Sequence, residues 1–425
     1  MLLASTNSDS SGFSDQWWRS FLEQTENLSK PLVVNKCFTS QQRDFFETSV
    51  MQILRELGRL RTNKYGFRVF LEGVLLTPEQ MLRFYDDAPM EREQLSDWVA
   101  RIFCGKKFGI IINGGEKFVE PLSQEIAIML APLFRITGFP REGINYSIFI
   151  GNYDKTPIGI HQDKRGESVM HFHLGPAEKT MYLWGEDKYN ELAKTIPPSD
   201  VNSYKAHATE YSFGPGDIFF MPEGIYHIGA QNGLSIGLTV WRYNHSNSHL
   251  LKDMHRRIGE QMLRPSEIEF EDDLNRLDST EGLDNAIRSH GLTERFGALN
   301  YEDLIRDTYQ CFRYALHSNA GYRQPPLINH SRANIGEDSL VQRVEPYNLL
   351  VRRGMSNNKM HVYARGYSIE LNDMDCIENL INKINTLPKV KMIDLLGLLP
   401  KDWREEIGIF FVAELHKYRA VQIVG

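Results

Sequence analysis

The segment GIHQD at residues 159–163 and the segment FMPEGIYH at residues 220–227 decide the fold expected for this chain. Side chains two positions apart on a β-strand point to the same face, so His161 and Asp163 would lie side by side. His227 can return to that face on a neighbouring antiparallel strand. Together the two segments are predicted to place two imidazoles and one carboxylate on one face of a sheet.

Two imidazoles and one carboxylate can hold a metal ion and leave three adjacent coordination positions open. This is the facial triad of non-heme Fe(II) oxygenases, although Ni(II), Mn(II) or Zn(II) can occupy similar sites. The surroundings favour a metal, because a glycine turn at residues 214–217 and an apolar run precede Pro222, Gly224 and His227, an order typical of cupins. The alternative interpretation is that these are structural polar residues.

The period of the apolar residues changes to two at residue 145. Short segments then follow one another, separated by turns rich in Gly, Pro, Asn and Asp. The predicted strands cover residues 145–151, 159–164, 168–174, 180–184, 209–213, 217–221, 225–230 and 234–243. Many short strands with such turns predict a double-stranded β-helix, the jelly roll of cupins. The polar residues Glu186–His207 are expected to form a loop over the mouth of this barrel.

Helical patterns flank the barrel, so the predicted fold class is mainly β with helical appendages. Residues 1–144 supply helices and strands that pack on the barrel, including a helix that begins with a capping box at Thr77. Residues 145–245 form the catalytic core, and residues 246–325 form a helical segment. Residues 338–425 combine helices with hairpin strands and are predicted to be a small, winged-helix-like α+β domain. Helices in the helical segment are predicted at His249–Leu263, Glu267–Leu277 and Tyr301–Leu316.

Composition narrows the class of protein. A chain of 425 residues should form roughly two or three domains, and 41% hydrophobic residues are enough for ordinary cores. A net charge of −7 and a pI of about 6.0 argue against a general nucleic-acid-binding surface, which would be basic. No apolar run is long enough for a membrane span. Four widely spaced cysteines fit a reducing compartment, so a cytoplasmic location is expected.

Three further residues of the predicted barrel carry functional hypotheses. Lys179 begins the strand that runs to Trp184. Inside a barrel its charge would need an anion, such as a bound dicarboxylate, whereas at the surface water would solvate it. His171 and His173 lie on one face of the preceding strand. They either make hydrogen bonds in a polar pocket or bind substrate, or they are further ligands of a histidine-richer metal site.

These features together resemble the JmjC-type, cupin-fold Fe(II)/2-oxoglutarate oxygenases. The most similar subgroup is the cupin-like proteins that include ribosomal-protein and asparaginyl hydroxylases. The resemblance covers residues 145–243 and implies that His161, Asp163 and His227 bind Fe(II). It also implies that Lys179, which precedes an apolar Leu-aromatic pair, binds the distal carboxylate of 2-oxoglutarate.

The same resemblance implies roles for other residues. Thr156, in a Thr-Pro pair before the first histidine, would reach the same carboxylate of 2-oxoglutarate. Thr239 falls where the family places a polar residue near the metal, and it is counted among the co-substrate contacts. Trp241 falls where the family places an aromatic residue. The expected lining of the substrate pocket is Tyr146, His171, His173 and Trp241.

The function implied is that of an Fe(II)/2-oxoglutarate-dependent dioxygenase. Such an enzyme uses O2 to hydroxylate a C–H bond, here of a peptide or protein residue, an amino acid or a natural-product intermediate. Two other classes stay open: a metal cupin that works without 2-oxoglutarate, as an isomerase or dioxygenase, and a non-catalytic adaptor built from a cupin and a winged-helix-like domain. The helical segment resembles that of ribosomal oxygenases, which implies a homodimer.

Overall fold

A computed structural model describes residues 12–263, 280–290, 300–331, 333–354, 359–401, 403 and 405–424. The chain divides into two compact units. The first consists of Met1–Asn244 and Ala320–Leu327, and the second consists of His245–Asn319 and Ile328–Gly425. The helix predicted at Glu267–Leu277 lies outside the described residues.

Antiparallel strands form the core of the first unit, as the period-two pattern predicts. In chain order they are β1 (Leu32–Val34), β2 (Arg68–Leu71), β3 (Val74–Leu75), β4 (Phe108–Ile112), β5 (Ile144–Gly151), β6 (His161–Gln162), β7 (Glu167–Pro176), β8 (Lys179–Trp184), β9 (Thr209–Phe213), β10 (Ile218–Met221), β11 (Tyr226–Gln231) and β12 (Ser235–Tyr243). The large sheet has the order β1-β10-β7-β12-β5-β4-β2-β3, and the small sheet has the order β6-β11-β8-β9. Each of the eight strands predicted between residues 145 and 243 is present, although β6 is much shorter than predicted.

Alternation along the strands separates the two faces of the large sheet. On β12, Leu238 and Val240 are fully buried on one face, while Thr239 and Trp241 point to the other. Helices cover the apolar face, where the ring of Phe21 lies edge-on against that of Phe220. Each such buried side chain contributes about 1.5–3 kcal/mol of hydrophobic stabilisation. The opposite face is therefore left for the candidate site.

Helices of the first unit follow the signals in the sequence. The described ones are α1 (Asp15–Gln24), α2 (Ser40–Leu60), α3 (Pro78–Asp86), α4 (Leu95–Phe103), α5 (Glu120–Thr137), α6 (Glu186–Leu192) and α7 (Val201–Lys205). The predicted capping box of α3 is present: Gln80 donates its backbone N–H to the Thr77 hydroxyl, and the Thr77 backbone N–H donates to the Gln80 side chain. These bonds satisfy two backbone donors that the first turn would leave unpaired.

The segment Glu186–His207 is not the loop that its composition predicts, because it contains α6 and α7. Leu192 and Tyr204 are buried against Trp184 of the small sheet. The indole Nε1 of Trp184 donates a hydrogen bond of 3.1 Å to the backbone oxygen of Tyr204. The prediction was wrong because a few well-placed apolar residues hold the segment down, and its polar majority conceals them.

The second unit combines helices with two small antiparallel sheets. Its described helices are α8 (Asn247–Met262), α9 (Glu281–Ser289), α10 (Tyr301–Ser318), α11 (Asp375–Thr386), α12 (Met392–Leu396) and α13 (Glu405–Lys417). Its strands are β13 (Leu340–Arg343), β14 (Leu350–Arg353), β15 (Lys359–Ala364), β16 (Tyr367–Asn372), β17 (Val390–Lys391) and β18 (Val421–Val424), in sheets of order β17-β13-β18 and β14-β15-β16. Across the described parts of both units, no helix is long and apolar enough to cross a membrane.

A buried carboxylate lies beneath the large sheet. Glu116, just before α5, is 2% exposed. Its Oε2 atom accepts a hydrogen bond of 3.2 Å from the backbone N–H of Tyr146, whereas Oε1 finds no partner among the described residues. Burial raises the pKa of Glu116 to about 7, despite the opposing effects of backbone hydrogen bonding and of the Lys117 and Arg323 charges.

Replacing Glu116 by Gln should flatten the pH dependence of stability. The pKa in the folded state lies above the ordinary value of 4.5, so stability is lost as the pH rises through about 7. The full loss is on the order of 3 kcal/mol. Gln does not titrate, and it keeps an oxygen for the Tyr146 amide. Urea unfolding at about pH 5 and about pH 8 should show a smaller loss in Glu116→Gln than in wild type or in the exposed variant Glu91→Gln. Equal losses in all three would contradict this.

Candidate metal centre

The short strand β6 and its neighbour β11 bring the predicted metal ligands together. Their antiparallel register places His227 opposite His161, and the centres of the two imidazole rings lie 4.2 Å apart. Asp163 directly follows β6, and its Oδ2 atom is 3.9 Å from Nε2 of His227. One ligand atom from each of the three residues lies within 4.8 Å of the others. The three side chains can therefore converge on a single ion.

Backbone carbonyls orient both imidazoles. Nδ1 of His161 lies 2.9 Å from the oxygen of Gly159, and Nδ1 of His227 lies 3.1 Å from the oxygen of Ile225. A carbonyl oxygen only accepts, so Nδ1 carries the hydrogen and Nε2 keeps its lone pair for a metal. Burial lowers the pKa of both histidines, that of His227 to about 3. Both rings are therefore neutral at neutral pH, as metal binding requires.

The carboxylate of this cluster lacks sufficient positive charge from the protein. Burial, with a smaller effect of the Glu167 carboxylate, raises the pKa of Asp163 to about 7. A divalent cation between the three side chains would remove that penalty by favouring the ionised form. Two neutral imidazoles and one carboxylate on one side are a donor set that fits Fe(II). The residues present thus fit the metal that the sequence resemblance implies.

A cavity of about 510 Å³ opens beside the three ligands, between the facing sides of the two sheets. Its walls come from strands β2, β4, β5, β7, β10 and β12 of the large sheet and from β6, β8 and β11 of the small one. The volume suits a small co-substrate together with part of a substrate. Besides the three ligands, polar side chains that line it include Arg68, Asn113, Asn145, Ser147, Thr156, Glu167, His171, Lys179, Thr239 and Gln324.

Lys179 lies inside this cavity, which excludes the alternative of a solvated surface lysine. It is 7% exposed, and its Nζ atom lies 5.8 Å from the ring centre of Phe149. Within the described part of the chain, no carboxylate lies within ion-pair distance of it. Burial lowers the pKa of Lys179 to about 8. A buried ammonium without a protein partner is costly, and an anionic ligand would offset that cost.

His171 lines the cavity, and its ring is held by two features of β12. Its Nδ1 atom lies 2.8 Å from the hydroxyl of Thr239, and its Nε2 atom has no partner among the described residues. A Cβ atom at Gly237 would fall 2.0 Å from the imidazole, so only glycine leaves room for the ring there. His171 is not part of the cluster around Asp163, so the geometry gives no support to its being a further metal ligand.

His173 does not line the cavity, which corrects the prediction that it does. It is fully buried, and its Nε2 donates a hydrogen bond of 2.7 Å to the backbone oxygen of Ala177. Burial lowers its pKa to about 4. The interpretation of His173 as a structural, hydrogen-bonded core residue agrees with this environment. Its place two residues beyond His171 puts it on the correct face but past the end of the cavity.

Thr156, expected to contact the co-substrate, and Trp241, expected in the substrate pocket, both line the cavity. The Thr156 hydroxyl donates a hydrogen bond to the backbone oxygen of Gly229 at 3.1 Å and accepts one from the Gly229 N–H at 3.2 Å. These bonds hold the segment between β5 and β6 against β11. The indole Nε1 of Trp241 is buried without a hydrogen-bond partner among the described residues. A buried indole N–H normally finds an acceptor, so this donor is available to a ligand.

Tyr146 faces away from the cavity, so its expected place in the substrate pocket is wrong. It is fully buried on the helix-covered side of the large sheet, 3.2 Å from the hydroxyl of Ser123 through its own hydroxyl. Its neighbours Asn145 and Ser147 line the cavity instead, because side chains alternate along a strand. The alternation of β5 already separated Tyr146 from Ser147, so the sequence contained the signal for this missed residue.

Two hydrogen-bonded pairs in the lining were missed altogether. Ser147 donates to Oδ1 of Asn113 at 3.0 Å, and the Tyr243 hydroxyl donates to Oδ1 of Asn145 at 3.1 Å. Arg68 also reaches the cavity from β2. These residues come from elements far apart in the chain and carry no motif, so only the folded structure brings them together.

No protein-family model matches the chain, and no curated protein matches its sequence. Solved structures of a ribosomal oxygenase align with almost its whole length, each covering 96% of this chain and 98% of the other. That protein is YcfD of Escherichia coli, whose X-ray structure is 15% identical with a TM-score of 0.48. Its complex with cobalt and 2-oxoglutarate is 15% identical with a TM-score of 0.47, and its complex with cobalt and succinic acid is 14% identical with a TM-score of 0.46.

Replacing Gly237 by Ala should disturb His171 and destabilise the protein. The new methyl group would overlap the imidazole, and overpacking of a filled core costs about 1–3 kcal/mol. Urea unfolding measures the loss. Gly185→Ala is the matched control, because no heavy atom lies within 4 Å of the added Cβ and the backbone φ there is −62°. Equal stability of the two variants would show that the imidazole does not occupy the space above Gly237.

Proposed function

We propose that this protein is an Fe(II)/2-oxoglutarate-dependent oxygenase that hydroxylates a C–H bond. The observation that carries the proposal is the convergence of His161, Asp163 and His227 in a cavity that also holds the unpaired cation of Lys179. A metal site alone would fit many cupin chemistries. A metal site next to a buried cation fits a chelating, anionic co-substrate.

His161, Asp163 and His227 would hold the metal. When bound, Fe(II) with 2-oxoglutarate and O2 supplies the oxidation of an unactivated C–H bond, with succinate and carbon dioxide as co-products. The protein contributes the arrangement and the exclusion of water. The carbonyls of Gly159 and Ile225 fix the imidazoles in the tautomer that presents Nε2, and His227 is 6% exposed.

Lys179 would bind the distal carboxylate of 2-oxoglutarate. It pairs with Gln231 in the register of β8 and β11, whereas His227 lies opposite Leu183. Four residues along a strand separate the two positions by about 13 Å, which leaves room for a five-carbon dicarboxylate and the lysine side chain. Gly229 lies between them, and a Cβ atom there would come within 3.2 Å of Lys179. This glycine therefore keeps the path open.

The neutral polar groups of the cavity are suited to orienting the bound molecules. Thr156 and Thr239 are the proposed further contacts of the co-substrate, and the free Nε2 of His171 and the indole N–H of Trp241 can each bond to a ligand. We propose a peptide or protein residue as the substrate class, with amino acids and natural-product intermediates as alternatives. Ribosomal proteins are the first pool to test, since the sequence resembles ribosomal-protein hydroxylases.

We also propose a fold type for each part of the chain. The two facing sheets of the first unit are proposed to contain a jelly roll of the cupin type, formed by residues 145–245, whose large sheet is extended by β1–β4 of the preceding residues. Residues 338–425 are proposed to be winged-helix-like, and residues 246–325 to form a homodimer contact. Light scattering of the full chain tests the last point, since a monomeric mass would contradict it.

Substitution of the proposed metal ligands should abolish iron binding. We expect His161→Ala, Asp163→Ala and His227→Ala to bind Fe(II) at least about 100-fold more weakly, because even loss of an outer-shell partner costs 10–100-fold. Anaerobic Fe(II) titration and succinate formation from 2-oxoglutarate are the two measurements. The exposed His207→Ala is the control. Wild-type iron binding and turnover in the three variants would overturn the metal assignment.

Substitution of Lys179 should separate co-substrate binding from metal binding. In Lys179→Met the KM for 2-oxoglutarate should rise at least about 30-fold, because removing one partner of a buried ion pair costs 2 kcal/mol or more. Lys179→Arg should retain part of the affinity, and both variants should bind Fe(II) as wild type does. An unchanged KM in Lys179→Met would rule out this role and favour a metal cupin that does not use 2-oxoglutarate.

A further inference from the structure

A second cavity, of about 320 Å³, lies in the first unit on the opposite face of the large sheet. The cavity beside His161, Asp163 and His227 is called the metal cavity below. On β12, Trp241 and Tyr243 line the metal cavity, so Arg242 between them points to the other side. Ser168 of β7 lies opposite Arg242 in the strand register and lines the same cavity. The two cavities therefore use alternate residues of the same pair of strands.

Arg242 is a buried cation without a partner. It is 7% exposed, and its Nε atom has no hydrogen bond among the described residues. No carboxylate in the described part of this unit lies within ion-pair distance of its guanidinium. Burial lowers the pKa of Arg242 to about 10, with no opposing effect of a neighbouring charge. Because a guanidinium stays protonated at neutral pH, Arg242 brings a positive charge to this cavity with no protein carboxylate to pair with it.

Two other deeply buried arginines of this chain show how such a charge is usually satisfied. In the second unit, Arg352 is 6% exposed and forms an ion pair with Asp307. Arg365 is 1% exposed, donates to the side chain of Asn319 at 3.1 Å and lies 3.5 Å over the ring centre of Tyr347. Arg242 has neither an ion pair nor a hydrogen bond of this kind, which sets it apart.

The lining of the second cavity contains one carboxylate, that of Glu223. Its side chain is exposed and accepts a hydrogen bond from the backbone N–H of Gly166. It forms no ion pair with Arg242. The other polar groups of the lining are neutral and include Asn27, Ser168 and Asn244.

We propose that this second cavity binds a small oxyanion, a carboxylate or a phosphate, through the guanidinium of Arg242. A guanidinium presents planar, paired N–H donors that match the two oxygens of such an anion. The hydroxyl of Ser168 and the amide of Asn27 are further donors for the remaining oxygens. The volume leaves space for water beside the anion. The site is independent of the metal and of 2-oxoglutarate, so it goes beyond the proposed oxygenase function.

Thermal unfolding of the full chain tests this site. Sodium phosphate and sodium succinate are each titrated at constant ionic strength, and a ligand that binds only the folded protein raises Tm in a saturable way. We expect a rise of a few degrees with one or both anions. Because succinate can also bind beside Lys179, the substitution Arg242→Met is made in the Lys179→Met protein, where the rise should vanish while the general effect of the salt on stability remains. Replacing an unpaired buried charge by an apolar side chain of similar length should not prevent folding.

Two further variants show which cavity produces the rise in Tm. Lys179→Met removes the cation of the metal cavity and should leave the response intact, which separates this site from co-substrate binding. Ser168→Ala keeps the charge of Arg242 and should raise the half-saturation concentration about 10-fold, the value of one hydrogen bond to a charged group. A response to phosphate alone identifies a phosphate site, and a response to succinate alone identifies a carboxylate site.

Several results would overturn the proposal. They are the absence of a saturable rise with either anion, a rise that persists when Arg242→Met is combined with Lys179→Met, and a rise that disappears in Lys179→Met alone. If Arg242→Met does not fold, the outcome rests on Ser168→Ala: a shifted half-saturation supports the site, and an unshifted one excludes it.

Discussion

The antiparallel pairing of β6 with β11 is the constraint on which the candidate metal centre depends. β6 is only two residues long, yet its register sets His161 opposite His227 and leaves Asp163 just beyond the pairing. A slip of one residue would turn His161 and Asp163 to the other face. Gln162 opposes such a slip, because its side-chain amide donates to the backbone oxygen of Gly224 at 2.8 Å. The residue between the two ligands thus fixes their positions.

Buried charge explains much of the remaining arrangement. Asp163 and Lys179 both point into the metal cavity. Burial raises the pKa of Asp163 and lowers that of Lys179, so it favours the neutral form of each. Such shifts lower the stability of the protein without its ligands and raise the affinity for ligands of opposite charge. A cation beside Asp163 and an anion beside Lys179 relieve the two penalties together. The same physical reasoning applies to Arg242 on the other face of the sheet.

The sequence predicts those features that depend on local patterns. Strand periodicity located β5 and β7–β12, and the spacing of His161, Asp163 and His227 indicated which side chains converge. Features that depend on packing between distant segments were not predictable. The place of His173 beyond the end of the cavity is of this kind. So is the isolation of Arg242, which a motif cannot show because it follows from the absence of a carboxylate nearby.

The shared strands β7 and β12 determine how the two cavities can influence each other. Arg242 pairs with Ser168 on one face, and the next pair, Tyr243 with Glu167, belongs to the metal cavity on the other. An anion on Arg242 therefore stabilises the same ladder that carries Thr239 and His171. Energetic coupling between sites requires an element with two arrangements that each ligand favours differently. The structure shows one register for β7 with β12, so we expect an anion on Arg242 to act on the stability of the fold rather than on the affinity for the metal.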